Sequence, residues 1–296
     1  MIIETKGLVK KFGDVTALKG IDLSVGEGEV FGFIGPNGAG KSTTIRVLLG
    51  ILKANAGTAS VFGLDAWNNS VEIHKKIAYV PGDVNLWPNL TGGEVIDFFG
   101  NLRGGINEEK RKKLIADFDL DTRKKCRTYS KGNRQKVALV SAFASDADLY
   151  ILDEPTSGLD PLMERIFVEC VLECKRAGKS VLLSSHILSE VEKLCDRVGI
   201  ISNGTIVETG TLDCLRQGVK THMTVVSNKS LAGLDKVGGV SNIRTVDSET
   251  LFDVEPNATG GVLKFLTAYE LTKFECAPPA LEELFMKYYD GGQSQK

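Results

Sequence analysis

A chain of 296 residues, 42% hydrophobic and carrying 32 glycines, is long enough for one large domain or two modest ones with a sizeable core. Its 36 basic and 38 acidic residues nearly cancel, which excludes a global electrostatic bias toward nucleic acid or lipid. No apolar run reaches the roughly 18 residues that span a bilayer, and the start Met1-Ile2-Ile3-Glu4-Thr5-Lys6 lacks the regions of a signal peptide. The six cysteines form no CxxC pair, so they read as reduced, mostly buried thiols of a cytosolic protein. Cys170 and Cys174, one helical turn apart, have no matching pair elsewhere and read as core thiols rather than half a metal site.

In chain order, Val15–Val25 alternates loosely and predicts a strand after a turn at Gly13-Asp14. Glu29–Ile34 is short, apolar and bounded by glycines, as a buried strand is. Lys41–Leu49 has helical spacing of Ile45, Leu48 and Leu49, and Ile77–Pro81 predicts another short strand. From Asn85 to Phe143 the pattern turns helical, with a capping box at Thr91 and Glu94 and a second helix capped by Asn107 that runs through Phe118. Strands return at Leu149–Leu152 and Ser180–Ser184, and Pro161 opens a helix between them that ends near Gly178. Asn203-Gly204 predicts a tight hairpin between Val198–Ser202 and Thr205–Thr209. After a helical end at Gly218 the texture changes to short alternating strands from Thr221–Ser227, then helices at Val262–Glu270 and Pro279–Tyr289 and a frayed tail at Gly291–Lys296. A domain boundary near residue 218 follows, with no phosphate-type motif beyond it.

Gly35-Pro36-Asn37-Gly38-Ala39-Gly40-Lys41-Ser42-Thr43 is a GxxxxGK[ST] phosphate loop set between a strand and a helix. Its glycines let backbone N–H groups face a β-phosphate, and Lys41 reaches the β- and γ-phosphates. The Ser42 hydroxyl suits Mg²⁺, and the helix that follows points its positive end at the nucleotide. Leu149-Tyr150-Ile151-Leu152-Asp153-Glu154 is an apolar strand ending in two carboxylates. Beside a phosphate loop, Asp153 suits Mg²⁺ through water and Glu154 suits a general base for the attacking water.

Carrying these two motifs, the chain resembles the nucleotide-binding subunit of an ATP-binding-cassette (ABC) transporter. Tyr129-Ser130-Lys131-Gly132-Asn133-Arg134-Gln135 stands where that family carries Leu-Ser-Gly-Gly-Gln. Ser130 and Gly132 are kept, while Tyr129, Lys131 and Asn133 depart. The resemblance implies that Ser130 and Gly132 face the γ-phosphate bound by a second subunit. It further makes Ser157-Gly158-Leu159-Asp160 the D-loop, His186 the switch histidine and Phe12 the adenine-stacking aromatic. One motif fails: Gly82-Asp83 occupies the place of the family's glutamine, whose role Gly82 cannot fill with a side chain and Asp83 fills at most in part.

The resemblance covers about residues 1–217 and implies an α/β fold: a P-loop NTPase core of ABC type, a helical subdomain inserted at about 83–145, and a small C-terminal α+β domain at 218–296. It implies an ATPase using ATP and Mg²⁺, two copies of which sandwich two nucleotides and drive a separately encoded membrane permease from the inner face of the plasma membrane. Pro279-Ala280-Leu281-Glu282-Glu283-Leu284-Phe285 and the Pro-Gly-Asp at 81–83 resemble drug and antibiotic exporters, so export is preferred over import. A soluble ABC ATPase of the iron–sulphur assembly type and an inactive nucleotide-binding regulator stay open, the latter opposed by the intact Glu154 and His186. Residues 103–136 hold twelve Lys/Arg against five Asp/Glu, a local net of +7. Without interleaved aromatics this predicts no nucleic-acid face; it reads as a solvated helical face or one near anionic headgroups. Leu86, Trp87, Pro88, Leu90, Phe98 and Phe99 form an apolar cluster beside the failed motif, read either as core or, by resemblance, as the groove for a permease helix, with at least one aromatic exposed.

Overall fold

The computed structural model describes residues 1–216 and 220–277. The expected boundary at 218, the helix at Pro279–Tyr289, the exporter-like tail and the frayed end lie outside the described residues. The chain divides into two compact units, Met1–Gly210 and a second beginning at Thr211.

The first unit opens with strands β1 (Ile3–Phe12), β2 (Val15–Val25) and β3 (Val30–Ile34), then helix α1 (Lys41–Leu48). There follow β4 (Ala56–Val61), β5 (Leu64–Asp65), α2 (Ser70–His74) and β6 (Ile77–Val80). Three helices come next, α3 (Gly92–Leu102), α4 (Glu108–Asp117) and α5 (Lys131–Phe143). The unit closes with β7 (Leu149–Asp153), α6 (Pro161–Arg176), β8 (Ser180–Ser185), α7 (Leu188–Leu194), β9 (Arg197–Ser202) and β10 (Thr205–Thr211).

A six-stranded sheet of order β10-β9-β3-β8-β7-β6 carries the site. Its pairs β3–β8, β3–β9, β7–β8 and β6–β7 are parallel. Every residue of β3, β7 and β8 is buried, the pattern of central strands covered on both faces. A parallel sheet puts the carboxyl ends of its strands on one rim, where loops gather ligand-binding groups. Asn203 and Gly204 both have positive φ, +49° and +81°, as a tight two-residue hairpin between β9 and β10 requires.

A second, antiparallel sheet of order β2-β1-β4-β5 packs its apolar face into the main core through Ile3, Leu8, Ile21 and Val61. The helical segment has the predicted caps: Thr91 Oγ1 accepts from the Glu94 amide at 3.2 Å while the Glu94 carboxylate accepts from the Thr91 amide at 2.6 Å. Asn107 caps α4 through the Lys110 amide at 2.9 Å.

The second unit contains α8 (Leu212–Arg216), β11 (Thr221–Ser227), β12 (Val240–Val246), β13 (Glu249–Val254), α9 (Thr259–Leu266) and β14 (Leu271–Ala277). The strands form an antiparallel sheet of order β12-β13-β11-β14, and Met223, Val225, Phe252, Val254, Val262 and Leu266 make its core. The helix expected at Val262–Glu270 starts at Thr259 and stops at Leu266, because burial of Val262 and Leu266 outweighs two glycines in its first turn.

Cys126, Cys170, Cys174 and Cys195 are buried free thiols, while Cys214 and Cys276 are exposed. Among the described residues no group of three or more His, Cys, Asp or Glu is placed to hold a metal ion. No helix among them is long and apolar enough to cross a membrane.

Candidate functional site

The loop from Gly35 to Gly40 leaves the buried end of β3 and enters α1. Gly40 has φ +117°, a conformation that favours glycine, and a Cβ there would crowd Leu18 Cδ2 at 2.8 Å. The loop is pinned by Ala39, whose amide donates to Pro36 O at 3.1 Å and whose carbonyl accepts from the Gly204 amide at 2.9 Å. Asn37 and Gly38 are exposed at its tip, and Ser42 and Thr43 are half-buried in the first turn of α1. No acid occupies that first turn, and Arg46 sits in the last, so the N-terminal end keeps its positive potential.

Lys41 is 4% exposed. Its ammonium donates to Gly35 O at 2.5 Å and Pro36 O at 3.2 Å, and lies 3.4 Å from Glu154 Oε1. Asp153 is the last residue of β7 and is buried; its Oδ1 accepts from Ser184 Oγ at 2.5 Å. Glu154 follows with φ +47°, a conformation that costs a non-glycine residue roughly 1–3 kcal/mol. Its amide donates to Ser184 O at 3.0 Å, which holds that backbone turn. Glu154 Oε2 is 3.3 Å from His186 Nδ1, and His186 is exposed just beyond β8. Lys41, the adjacent Asp153 and Glu154, and His186, from three separate stretches of the sequence, thus meet at the carboxyl rim of the six-stranded sheet.

Tyr79 on β6 also borders this rim. Burial, then the Asp153 charge, pushes its phenol up to about 12. Nothing in the sequence singles out Tyr79 or Ser184, because each is one residue of a buried strand; only the parallel register of β6, β7 and β8 brings them to Asp153.

Ser130 caps α5, its Oγ accepting from the Asn133 amide at 3.3 Å. Gly132 approaches the loop after β7 so closely that a Cβ would stand 2.6 Å from Gly158 O. Asp160 caps α6 by accepting from the Leu162 and Met163 amides, both at 3.0 Å. Phe12 ends β1 and is 47% exposed, with the Lys10 ammonium 5.2 Å from its ring centre, so its ring is not part of the core.

At the failed motif, Gly82 packs against the strand end that carries the acids: a Cβ would stand 3.1 Å from Asp153 O. A side chain at 82 would need that carbonyl to give by a few tenths of an ångström. Asp83 is exposed and accepts from Asn85 Nδ2 at 3.4 Å. Beside it, Trp87 is 49% and Phe98 42% exposed, with ring centres 5.2 Å apart. Together with Pro88, Asn89 and Leu90 they line a concavity of about 430 Å³.

Glu190 on α7 is a buried acid behind the site. Its Oε2 accepts from Ser185 Oγ at 3.2 Å. Burial raises its carboxyl above the ordinary range, while the Thr156 and Ser185 hydroxyls oppose the shift.

The ABC transporter family model matches residues 18–157. The linearmycin resistance ATP-binding protein LnrL of Bacillus subtilis is 30% identical, covering 96% of this chain and 97% of its own. The daunorubicin/doxorubicin resistance ATP-binding protein DrrA of Streptomyces peucetius is 37% identical over 75% of this chain and 68% of its own. Among solved structures, an ATP-binding subunit of an ABC transporter is 34% identical with a TM-score of 0.68, covering 73% of this chain and 92% of that one. A dimeric ATP-binding cassette in a post-hydrolysis state with ADP and phosphate is 25% identical with a TM-score of 0.64, over 71% and 98%. Likeness along nearly the whole length of relatives of this size, together with the phosphate loop and acid-tipped strand at one rim, places the chain in a single family: it belongs to the ATP-binding proteins of ABC transporters and carries their ATPase domain.

Proposed function

We propose that this chain hydrolyses ATP as the motor of a separately encoded membrane permease that exports small molecules of the drug or antibiotic class. The export assignment is supported by the names of the relatives LnrL and DrrA. Two copies form the working unit, with Lys41 of one facing Ser130 and Gly132 of the other across each nucleotide, and Asp160 at the same interface. Residues 1–217 serve as the ATPase domain and 218–296 as an accessory domain. The motor works at the inner face of the plasma membrane, and the Trp87–Phe98 concavity is the seat for a permease helix.

The observation that carries the reading is the approach of Glu154 to both Lys41 and His186, at 3.4 and 3.3 Å. Phe12 stacks on adenine, and residues 35–43 wrap the phosphates with backbone N–H groups from Gly35, Asn37, Gly38, Ala39 and Gly40 and from Lys41, Ser42 and Thr43. Lys41 exchanges its bonds to Gly35 and Pro36 for phosphate oxygens. Ser42 and Asp153 offer the hard oxygen donors that Mg²⁺ takes, the carboxylate held by Ser184; when bound, the ion neutralises phosphate charge. Glu154 accepts the proton of the attacking water, and His186 orients the γ-phosphate and stabilises its charge.

The test is phosphate release by the purified chain, and co-purification of the chain with membranes that contain its permease. A chain that hydrolyses ATP yet never sediments with membranes would sink the transport reading and leave the ATPase intact.

A further inference from the structure

Helix α5 begins at Ser130, which the two-copy reading gives to a second subunit's nucleotide, and runs back along the segment that follows Glu154. Two of its side chains, Lys131 and Gln135, stand four residues apart and therefore on one face. Gln135 is fully buried, and its Nε2 donates to Pro155 O at 2.8 Å. Lys131 Nζ donates to Ser157 Oγ at 2.8 Å. Between them Gly132 meets the Gly158 carbonyl too closely for any side chain.

The segment they hold is itself tightly wound. The Ser157 amide donates to Glu154 O at 3.2 Å and the Leu159 amide to Thr156 O at 3.0 Å, which leaves few ways to move Glu154 without moving residues 155–158. Lys131 is also oddly placed, since a cation in the first turn of a helix opposes the helix dipole. Its partner is a neutral hydroxyl, which leaves its charge uncompensated.

We propose that Gln135 and Lys131 are positioning residues that clamp 155–158 to α5, so that a shift at Glu154 is passed to Ser130 and Gly132, and thus from one nucleotide site to the other. The two links differ in kind. Losing the Gln135–Pro155 bond would strand a buried amide, so that link persists and acts as the pivot. The exposed Lys131–Ser157 bond exchanges with water at little cost, so it is the releasable latch. The transmission rests on the two-copy reading above; the clamp does not.

The variants Lys131→Met, Ser157→Ala and their double, in the full chain, test this. In the nucleotide-free chain, hydrogen exchange of the amides at 156–158 should quicken about two- to threefold in each single variant, the low end for loss of one hydrogen bond, since both partners regain water. The double should be no faster than either single, and Lys131→Arg should restore protection. In steady state the wild-type chain should show a Hill coefficient for ATP above one, and both singles should lower it toward one while binding of ATP to the chain is unchanged; a wild-type coefficient of one would overturn the transmission. Gln135→Leu should lower kcat without raising KM. Exchange at wild-type rates in the singles, a double whose effect is their product, or an unchanged Hill coefficient overturns the inference. An ATP-trapped Glu154→Gln dimer, measured in parallel, tests the two-copy reading separately, so the two failures are distinguishable.

Discussion

Lys41 and Glu154 face each other across 3.4 Å at the rim of the main sheet, one from the helix after β3 and the other from the turn after β7. In the proposed mechanism the pair joins the group that binds phosphate to the group that accepts the water's proton. Lys41 is almost fully buried and Glu154 about a quarter exposed, so the two ends of the reaction differ in access to solvent.

Replacing Glu154 by Gln keeps the shape and removes the proton acceptor. ATP binding should persist and turnover should fall at least about a hundredfold, the lower range for loss of a general base. The variant should accumulate as an ATP-bound dimer, read by size-exclusion chromatography with phosphate release. Turnover at the wild-type rate would remove Glu154 from its role.

Lys41→Ala acts earlier. A charge-assisted bond to phosphate is worth about 1.5–3 kcal/mol, so nucleotide affinity should fall by roughly one to two orders of magnitude. Titration calorimetry reads this directly, and unchanged affinity would show that the lysine stays on Gly35 and Pro36.

Restoring the family's glutamine should harm this chain. In Gly82→Gln the Cβ would press on Asp153 O at 3.1 Å and shift it by a few tenths of an ångström beside the two acids, so kcat should drop even though the side chain is the usual one. Asp83→Ala should instead spare the basal rate and lower the permease-stimulated rate, because Asp83 is exposed and bonded only sideways to Asn85. A stimulated rate at the wild-type level would make Asp83 an ordinary loop residue.

Glu190→Gln should stabilise the protein above acidic pH. The folded-state carboxyl is raised by burial, so the folded chain prefers the proton that the unfolded chain releases near the ordinary glutamate range. Stability therefore declines as pH rises from that range through the folded value, and the amide escapes this loss. Thermal melts should show a gain in Tm at pH 7 to 8 that shrinks toward about pH 4.5, the usual glutamate region; a gain independent of pH would deny the mechanism.

Trp87→Ala with Phe98→Ala removes the exposed rings of the concavity. Phosphate release by the isolated chain should be unchanged and membrane co-purification should weaken. Undiminished co-purification would place the permease seat elsewhere.

The phosphate loop and the acid-tipped strand were legible because their chemistry is carried by contiguous residues. So were the caps at Thr91 and Asn107 and the hairpin at Asn203-Gly204, which depend on neighbours only. β1 was not, because its register shifts between Thr5 and Leu8 and again near Lys10 blur the alternation. The order of the parallel strands was hidden as well, since each crossover hands pairing to a distant segment. That order is what brings Ser184 to Asp153 and Tyr79 to the same rim. The Gln135–Pro155 bond spans 20 residues between a helix and a turn, and nothing in either segment announces the other.

The distribution of thiols has a practical consequence. Burial raises the Cys170 thiol to about 12, and raises Cys126, Cys174 and Cys195 as well, so none of the four offers appreciable thiolate at neutral pH. Cys214 and Cys276, both beyond the first unit, are the exposed ones. A maleimide dye added to the unaltered protein should therefore mark the second unit alone, and its fluorescence would report there while the first unit stays unlabelled.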